Sequence, residues 1–316
     1  MSWAPDSSAD PAGGRVQDST DLNWVDRFCP PWSRPWLRLS RADRPIGTWL
    51  LLIPCWWAIA LGGVYQGWAW SDLWLYVGCA IGAFLMRGAG CTWNDFTDRD
   101  FDAQVDRTQS RPLPSGQVTP KGALVWMCIQ AILAFGILLT FNTTAIIWGI
   151  ASLALVCIYP FAKRFTWWPQ VFLGLAFNWG ALLLWIAKTG SISLPPVYLY
   201  LMGIAWTLHY DTIYAHQDRE DDALVGVKST ARLFGAETRK MLWLFTGLAG
   251  ILGLMAIVTA GGGLIALLGL AAFLLHLSWQ AAVVDIDDPD HCLRLFRSNN
   301  VAGLFLLIGL VLDVWI

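Results

Sequence analysis

The chain has 316 residues, of which 56% are hydrophobic and 14% are charged, and its mean hydropathy is +0.50. Average soluble domains carry about 25% charged residues, so this composition predicts a protein that crosses a membrane several times. The formal net charge is −2, and no basic face or aromatic-basic motif gives reason to expect nucleic-acid binding.

The seven cysteines and four histidines do not form recognisable metal-binding or disulfide motifs. The chain contains no CxxC pair and no HxxxH pair, and most of the cysteines lie in apolar stretches. We therefore expect the cysteines to be small core residues, and we expect neither structural zinc nor haem.

The stretch before Arg34 is acidic and rich in Pro, Gly and Ser, and it has no apolar signal-peptide segment. Nor does it have the Arg-rich, acid-poor composition of an organelle transit peptide. We therefore predict a disordered cytoplasmic tail over residues 1–33, a membrane domain over residues 34–316, and a location in a bacterial inner membrane. Residues 30–45 mix Trp with Arg, as membrane-surface helices do.

Nine apolar stretches reach the length of about 20 residues that a spanning helix needs. They lie near residues 46–64, 74–93, 123–141, 143–161, 170–188, 197–214, 240–259, 263–283 and 300–316. Short turns near residues 141–144 and 260–263 separate otherwise nearly continuous apolar sequence. The pattern predicts an all-α integral membrane protein with nine transmembrane helices.

Lys and Arg should collect in the loops on the cytoplasmic side of a membrane, and in this layout they fall on alternate loops. The opposite loops contain only Lys188. The amino terminus and the long polar loops are therefore predicted to be cytoplasmic. The basic loop residues are Arg34, Arg38, Arg41, Arg44, Arg99, Arg107, Arg111, Lys121, Lys163, Arg164, Arg219, Lys228, Arg232, Arg239, Lys240, Arg294 and Arg297.

A dense acidic stretch, residues 88–116, follows the second predicted span. On a helix, Asn94, Asp98 and Asp102 fall at i, i+4 and i+8, so their oxygen-bearing side chains share one face. Like charges at that spacing repel one another unless a cation lies between them. Carboxylate and amide oxygens suit a hard divalent ion such as Mg²⁺, although a solvated helix end is the plainer alternative.

A second acidic stretch, residues 208–235, follows the sixth predicted span. On a continuous helix, Asp211, Tyr214, Asp218 and Asp222 form one stripe, and the last two repeat the four-residue spacing of the first stretch. Two such pairs at the same membrane depth favour a site for bridging cations. Carboxylate-bound Mg²⁺ is well suited to binding a diphosphate and neutralising a departing pyrophosphate.

Basic residues on the same side of the membrane could bind the phosphates, although contact with lipid headgroups would explain each of them equally well. The candidates are Arg99, Arg107, Arg111, Lys163, Arg164 and Lys228. A diphosphate on an allylic isoprenoid can ionise to a carbocation, and aromatic ring faces in the spans could stabilise it. These residues indicate an intramembrane enzyme acting on a lipid diphosphate.

The Asn94-x3-Asp98-x3-Asp102 motif, the RPLPSG that begins at Arg111 and the YDTIYAHQDREDD that begins at Tyr210 resemble the UbiA superfamily of membrane prenyltransferases. More narrowly, RADRPIGTWLLLIPCWW, GAGCTWNDFTDRDFD, YPFAKR and GVKSTA resemble its members that prenylate 4-hydroxybenzoate for ubiquinone. The similarity runs in order from about Arg41 to the end of the chain.

The resemblance implies a nine-helix bundle with a central cavity under a cytoplasmic cap, open sideways to lipid. It also implies that Asn94, Asp98 and Asp102 serve one Mg²⁺ cluster and that Asp218 and Asp222 serve a second. Arg99, Arg111, Lys163 and Lys228, together with Asn94, are then candidates for contact with the diphosphate.

Acceptor chemistry assigns the remaining candidates. The carboxylate of 4-hydroxybenzoate needs a cation, and Arg can bind a carboxylate through two hydrogen bonds. Arg41, Arg44 and Arg164 are therefore candidates for binding the acceptor. Tyr214 is a further acceptor-binding candidate. Arg164 and Asp211 match positions that the resemblance links to handling or activating the aromatic acid. Asp211 is the candidate for orienting the phenol or aiding proton removal, unless it is only a buried partner of Arg164.

The expected reaction is transfer of a polyprenyl group from its diphosphate to 4-hydroxybenzoate, ortho to the hydroxyl. One alternative is another acceptor: homogentisate, a naphthoate, or a haem or chlorophyll precursor. An ion-coupled transporter is a second alternative, but it predicts carboxylates near the membrane midplane and broken helices. The chain length of the prenyl group and the oligomeric state are not predicted.

Overall fold

The computed structural model describes residues 23–103, 108–224 and 226–316, without the side chains of residues 101 and 220–222. These residues form helices joined by turns, with no strand among them. The helices are α1 (Trp24–Phe28), α2 (Arg34–Leu39), α3 (Ile46–Gln66), α4 (Ser71–Thr97), α5 (Arg99–Asp102), α6 (Pro120–Leu138), α7 (Thr143–Phe165), α8 (Pro169–Phe177), α9 (Trp179–Thr189), α10 (Leu194–Ala215), α11 (Arg219–Leu224), α12 (Thr230–Phe234), α13 (Thr238–Thr259), α14 (Leu264–Val283), α15 (Pro289–Arg297) and α16 (Asn299–Asp313).

Among the described residues, eight helical stretches are long and apolar enough to cross a membrane. They are α3, α4, α6, α7, α8 with α9, α12 with α13, α14, and α15 with α16. The predicted all-helical membrane fold is confirmed, but the predicted count of nine spans is not. The remaining predicted span corresponds to α10, whose 22 residues include the buried His209 and the half-buried Asp211.

The predicted span near residues 170–188 is interrupted at Asn178, between α8 and α9. The Asn178 amide nitrogen donates hydrogen bonds to the carbonyl oxygen of Gly174 and to the hydroxyl of Thr207, both at 2.9 Å. A polar side chain that bonds the backbone one turn earlier commonly bends a helix. A Cβ atom on Gly203 would lie 2.1 Å from Asn178 Oδ1, so the interruption requires glycine on α10.

Ordered structure begins before the predicted domain boundary at Arg34. Asn23 caps α1 by accepting a hydrogen bond from the Asp26 backbone at 2.9 Å. Arg38 of α2 binds the Asp26 carboxylate at 2.7 Å. Residues 23–33 therefore do not belong to a disordered tail, and the rest of the predicted tail lies outside the described residues.

The chain divides into two compact units, and the first comprises the described part of Met1–Gly47 together with Phe84–Ala134. Its core contains Leu39, Leu113, Val118 and Ala123, with aromatic rings packed around them. This unit carries the first acidic stretch.

The second unit comprises Thr48–Ala83 and Phe135–Ile316. Within it, α10 packs against α8, α9 and α13, and α14 packs against α13 and α16. The buried rings of Trp57, Trp206 and Phe273 pack together, with centroids 4.9 to 5.8 Å apart. This unit carries the second acidic stretch on α10 and on the residues that follow it.

Candidate active site

The first acidic stretch continues helical hydrogen bonding through the junction of α4 and α5. The Asp98 N–H donates to the Asn94 carbonyl at 2.9 Å, and the Asp102 N–H donates to the Asp98 carbonyl at 2.8 Å. These bonds place the three residues on one face across two turns, as their spacing predicts. Asp98 is 1% exposed and Asp102 is 8% exposed, so the alternative of a solvated helix end is wrong.

Arg111 lies beside this face. Its Nη1 atom is 2.9 Å from Asp102 Oδ2 and 3.5 Å from Asp95 Oδ1. The Arg111 side chain is only 12% exposed, and a guanidinium so well buried requires carboxylate partners. The RPLPSG segment thus brings a predicted diphosphate-binding arginine to a predicted metal ligand.

Two predicted acceptor-binding arginines also lie in the first unit, and both are paired. Arg41 Nη2 is 2.5 Å from Oδ1 of the fully buried Asp95. Arg44 Nη2 is 3.2 Å from Oδ2 of Asp43, which is also fully buried. Their carboxylate partners were not identified from the sequence.

Two other basic residues of the first acidic stretch, Arg99 and Arg107, were also predicted to bind phosphate. Arg99 pairs with the exposed Asp100 at 3.1 Å and is itself 43% exposed, as a surface residue would be. Arg107 lies outside the described residues.

Arg87 was not among the site residues predicted from the sequence. It lies inside α4, seven residues before Asn94, and therefore on nearly the same helix face and about 10 Å deeper along the axis. A Cβ atom on Gly47 would lie 2.5 Å from the Arg87 guanidinium, so glycine makes room for that group. A charged residue within a span is by default a functional candidate, and this signal was present in the sequence.

The second acidic stretch is not one continuous α-helix, which corrects the predicted stripe. α10 ends at Ala215, His216–Asp218 form a 3₁₀ turn, and α11 starts at Arg219. A 3₁₀ turn has about 3.0 residues per turn instead of 3.6, so the register changes after Ala215. Asp218 is half-buried, and the Asp222 side chain lies outside the described residues.

Asp211 and Tyr214 lie on the last turn of α10, and both are half-buried. The Tyr214 ring packs against Phe296 with centroids 4.4 Å apart. Next to Asp211, the Thr212 hydroxyl is 2.7 Å from the hydroxyl of Thr230 on α12. These contacts fix the end of α10, where the candidate proton-handling carboxylate lies.

Residues 163 and 228 are far apart in sequence, but the structure brings them together. The Lys228 N–H donates to the Lys163 carbonyl at 3.1 Å, and Lys228 Nζ lies 3.4 Å from the Phe165 carbonyl oxygen. Arg164 is exposed, with its guanidinium carbon 5.1 Å from the centre of the Phe161 ring. The second unit therefore brings the backbones of two predicted phosphate-binding lysines into contact.

His216 follows α10 and is buried next to the second acidic stretch. Its Nε2 atom is 3.0 Å from the Thr238 hydroxyl. Burial lowers the pKa of His216 to about 4; the positive charge of Arg219 adds to this effect and the negative charge of Asp287 opposes it. His216 is therefore neutral near pH 7.

Among the described residues, no group of three or more His, Cys, Asp or Glu side chains could hold a metal ion on its own. A protein cage of the zinc type is thus not formed there. Mg²⁺ commonly binds one or two carboxylates and completes its shell with water and substrate phosphates. The nearly buried Asp98 and Asp102, with the Asn94 amide on the same face, fit that second mode.

Solved structures share this fold. A UbiA homologue from Aeropyrum pernix K1 in its apo form superposes with a TM-score of 0.70 at 22% identity, covering 84% of this chain and 97% of that one. A UbiA homologue from Archaeoglobus fulgidus, solved with GPP and Mg²⁺, gives a TM-score of 0.61 at 16% identity, covering 89% and 100%.

Closer relatives in sequence are described as mitochondrial 4-hydroxybenzoate polyprenyltransferases. The Bos taurus protein is 45% identical, covering 98% of this chain and 83% of its own length. The Arabidopsis thaliana protein is 46% identical, covering 92% and 72%. The Homo sapiens protein is 44% identical, covering 89% and 76%.

These relatives are described as mitochondrial, which contradicts the predicted location in a bacterial inner membrane. The prediction relied on the composition of residues 1–33, and the start of a sequence is weak evidence for a compartment. The multi-pass membrane character is supported. The relatives indicate that this chain is an aromatic prenyltransferase. Residues 51–308 match the UbiA prenyltransferase family, and this chain belongs to that family.

Proposed function

We propose that this chain transfers a polyprenyl group from polyprenyl diphosphate to the ring of 4-hydroxybenzoate, ortho to the hydroxyl, in ubiquinone biosynthesis. The observation that carries the proposal is the first acidic motif. Asn94, Asp98 and Asp102 share one helix face, both carboxylates are almost fully buried, and Arg111 binds Asp102. The descriptions of the relatives supply the acceptor.

The metal in this proposal is Mg²⁺, held in the first unit by Asn94, Asp98 and Asp102. When bound, Mg²⁺ would neutralise charge on the diphosphate and on the departing pyrophosphate. The oxygen-only donor set suits a hard cation. Asp218 and Asp222 are proposed as the metal-binding carboxylates of the second acidic stretch, serving the same reaction.

The basic residues bind the diphosphate and stabilise the charge that develops as it leaves. Arg111, Lys163 and Lys228 are the proposed contacts, and the half-exposed Arg99 is a weaker candidate. The allylic carbon–oxygen bond breaks, its electron pair leaves with pyrophosphate, and the ring carbon forms the new carbon–carbon bond. Such stabilisation of a leaving anion by fixed cations is electrostatic catalysis.

The ring then loses a proton to restore aromaticity. Asp211 is the proposed group for orienting the phenol or receiving this proton, since it lies on the last turn of α10 beside Tyr214. Arg164 is proposed to assist with the aromatic acid. Tyr214, held against Phe296, is proposed to contact the acceptor ring.

The acceptor carboxylate requires an arginine. Arg41 and Arg44 remain candidates together with Arg164, and the structure adds Arg87. Arg87 lies deeper along α4 than the acidic motif, and Gly47 gives its guanidinium space. An acceptor that reacts at an allylic carbon must bind beyond the diphosphate, so a deeper arginine suits its carboxylate.

A prenyltransferase for another acceptor is the second candidate, since homogentisate and naphthoates also offer electron-rich rings. The test is an assay of the purified protein in lipid nanodiscs with polyprenyl diphosphate, Mg²⁺ and equimolar 4-hydroxybenzoate, homogentisate and 1,4-dihydroxy-2-naphthoate. Mass spectrometry of the products should show prenylated 4-hydroxybenzoate as the main product. A main product from either other acceptor would refute the proposed substrate while retaining the reaction class.

A further inference from the structure

Asp95 lies at the centre of a buried chain of opposite charges in the first unit. Its Oδ1 atom is 2.5 Å from Arg41 Nη2 and 3.5 Å from Arg111 Nη1. Arg111 Nη1 is in turn 2.9 Å from Asp102 Oδ2. We call Arg41, Asp95, Arg111 and Asp102 the ionic chain. It connects a proposed acceptor-binding arginine to a proposed diphosphate-binding arginine and a proposed metal ligand.

Asp95 follows Asn94 directly, so its side chain is rotated by about 100° from the face that carries the acidic motif. Its geometry is that of a partner for arginine, because one oxygen serves both guanidinium groups. The carboxylate is fully buried. A buried charge of this kind is retained only where opposite charges compensate it.

Arg41 has an unusual backbone conformation, with a φ angle of +57°. It is the only non-glycine residue with positive φ among those described. Residues other than glycine are strained in this left-handed region. Such strain persists where the surroundings fix the residue, often at binding sites. Arg41 is fixed at its guanidinium, where Nη2 binds Asp95 and Nη1 donates to the Arg38 carbonyl at 3.3 Å.

We propose that Asp95 is a positioning residue that orients Arg41 and Arg111 for the anionic groups of the two substrates. Arg41 is oriented toward the acceptor carboxylate and Arg111 toward the diphosphate. This role rests on the proposed function. Holding both guanidinium groups before the substrates arrive lowers the ordering cost of binding them.

Ligation of a metal by Asp95 is the competing role. Asp95 Oδ2 is buried and has no hydrogen-bond partner among the described residues, so the second oxygen needs an explanation. A metal ligand and an arginine-positioning carboxylate differ in what they change. Removing a metal-binding carboxylate shifts the Mg²⁺ dependence of the rate. Removing a carboxylate that positions arginines shifts the KM values of the anionic substrates.

The test is a steady-state analysis of Asp95→Asn in nanodiscs, with 4-hydroxybenzoate, polyprenyl diphosphate and Mg²⁺ varied in turn. We expect the KM values of both organic substrates to rise about tenfold or more, as for other groups that support a binding residue. The Mg²⁺ concentration for half-maximal rate should change less than about twofold. Asp95→Glu, which keeps the charge, should recover most of the loss.

A double-mutant cycle with Arg41→Gln separates positioning from general damage. If Asp95 acts through Arg41, the double variant should have the same acceptor KM as Arg41→Gln alone. The matched control is Asp26→Asn, which breaks the ion pair with Arg38 in the same unit and should leave all KM values unchanged. If Asp95→Asn does not accumulate as folded protein, Asp95→Ser, which also removes the charge, takes its place in the cycle with the same expected non-additivity.

The positioning role would be overturned by a shift of the Mg²⁺ dependence with unchanged KM values, by additive effects in the cycle, by a fall in kcat alone, or by unaltered kinetics of Asp95→Asn. The first of these would make Asp95 a metal ligand. Failure of the proposed function gives a different outcome, because the wild-type protein would then form no prenylated 4-hydroxybenzoate. Wild-type turnover with unaltered Asp95→Asn kinetics would reject only the positioning role.

Discussion

The first unit contains carboxylates that are buried and therefore depend on compensating partners. Asp95 and Asp98 have exposures of 0% and 1%, in a protein where only 14% of residues are charged. A carboxylate so enclosed is strongly disfavoured unless cations or hydrogen bonds compensate it. Removing one partner of a buried pair typically costs about 3–5 kcal/mol, because the other charge remains. Substitutions here therefore need kinetic as well as stability measurements.

Arg87 provides a prediction about acceptor binding. Arg87→Gln should raise the KM for 4-hydroxybenzoate by about tenfold or more, because a charge-assisted hydrogen bond to the carboxylate is lost. The KM for polyprenyl diphosphate should change much less. Steady-state kinetics with each substrate varied separately makes the measurement, and an equal rise in both KM values would contradict an acceptor-specific role.

Gly47 offers a milder variant of the same test. In Gly47→Ala the new methyl group would lie 2.5 Å from the Arg87 guanidinium, which must move while its charge is retained. We expect the acceptor KM to rise less than in Arg87→Gln. An acceptor KM equal to the wild-type value would show that the position of Arg87 is unimportant.

His216 gives a prediction about pH. Its pKa is lowered to about 4 in the folded protein by burial, whereas an unfolded histidine has a pKa of about 6.5. The unfolded state therefore binds more protons between these values, and stability falls as pH decreases from 6.5 to 4, by at most about 1.4 kcal/mol per pH unit. His216→Asn should flatten that part of the pH profile in detergent unfolding experiments.

Above pH 7.5 the stability difference between His216→Asn and the wild type should not depend on pH. In that range His216 is neutral in both the folded and the unfolded state of the wild type. This range is the internal control. An unchanged slope between pH 6.5 and 4 in the variant would show that other groups cause the acid sensitivity.

Residue types and spacing were enough to predict the first acidic face, because helical periodicity alone brings Asn94 and Asp98 together. The ion pairs were not predictable in the same way. Asp95 and Arg41 are 54 residues apart, and their contact depends on how the turn before α3 folds. Arg87 differs from these ion pairs, because a charged residue inside an apolar stretch can be recognised from the sequence as a functional candidate. It was nevertheless not predicted.

Close backbone approach sets the packing of α14 and α16 at the scale of elements. A Cβ atom on Gly269 would lie 2.7 Å from the Gly309 Cα, and one on Gly309 would lie 2.6 Å from the Gly269 Cα. Small residues at helix contacts let backbones approach in membrane proteins. Neither helix can accept a methyl group there without moving.

We therefore expect Gly269→Ala to destabilise the protein by about 1–3 kcal/mol, the usual cost of overpacking. Gly82→Ala is the matched control, because a Cβ atom there would meet nothing within 4 Å. The control should be neutral or stabilised by up to about 1 kcal/mol, since alanine favours helix more than glycine does. Equal thermal stability of the two variants would contradict tight packing at Gly269.

The apolar stretches predicted the helices well, but the interruptions within them were not predicted. The turn expected at residues 260–263 separates α13 from α14 as predicted. The interruption at Asn178 depends on hydrogen bonds to Gly174 and Thr207, and the 3₁₀ turn after Ala215 ends a stripe that was expected to continue. Such local changes follow from tertiary contacts, which override helix periodicity.

At the scale of the whole molecule, the family and its reaction class rest on long motifs in order along the chain. They predicted an all-helical membrane prenyltransferase, and both the helical architecture and the family match agree. The central cavity and the cap implied by the resemblance stay predictions. The compartment was predicted wrongly, because physical chemistry ties the fold to a bilayer but not to a particular membrane.

The most direct test of the central claim is Mg²⁺-dependent pyrophosphate release in nanodiscs. The wild-type protein should release pyrophosphate only when polyprenyl diphosphate, 4-hydroxybenzoate and Mg²⁺ are all present, and EDTA should stop the reaction. Asp98→Asn should abolish release, while Asp100→Asn, at an 82% exposed carboxylate two residues away, should retain it. Full activity of Asp98→Asn, or release by the wild type without Mg²⁺, would contradict the account.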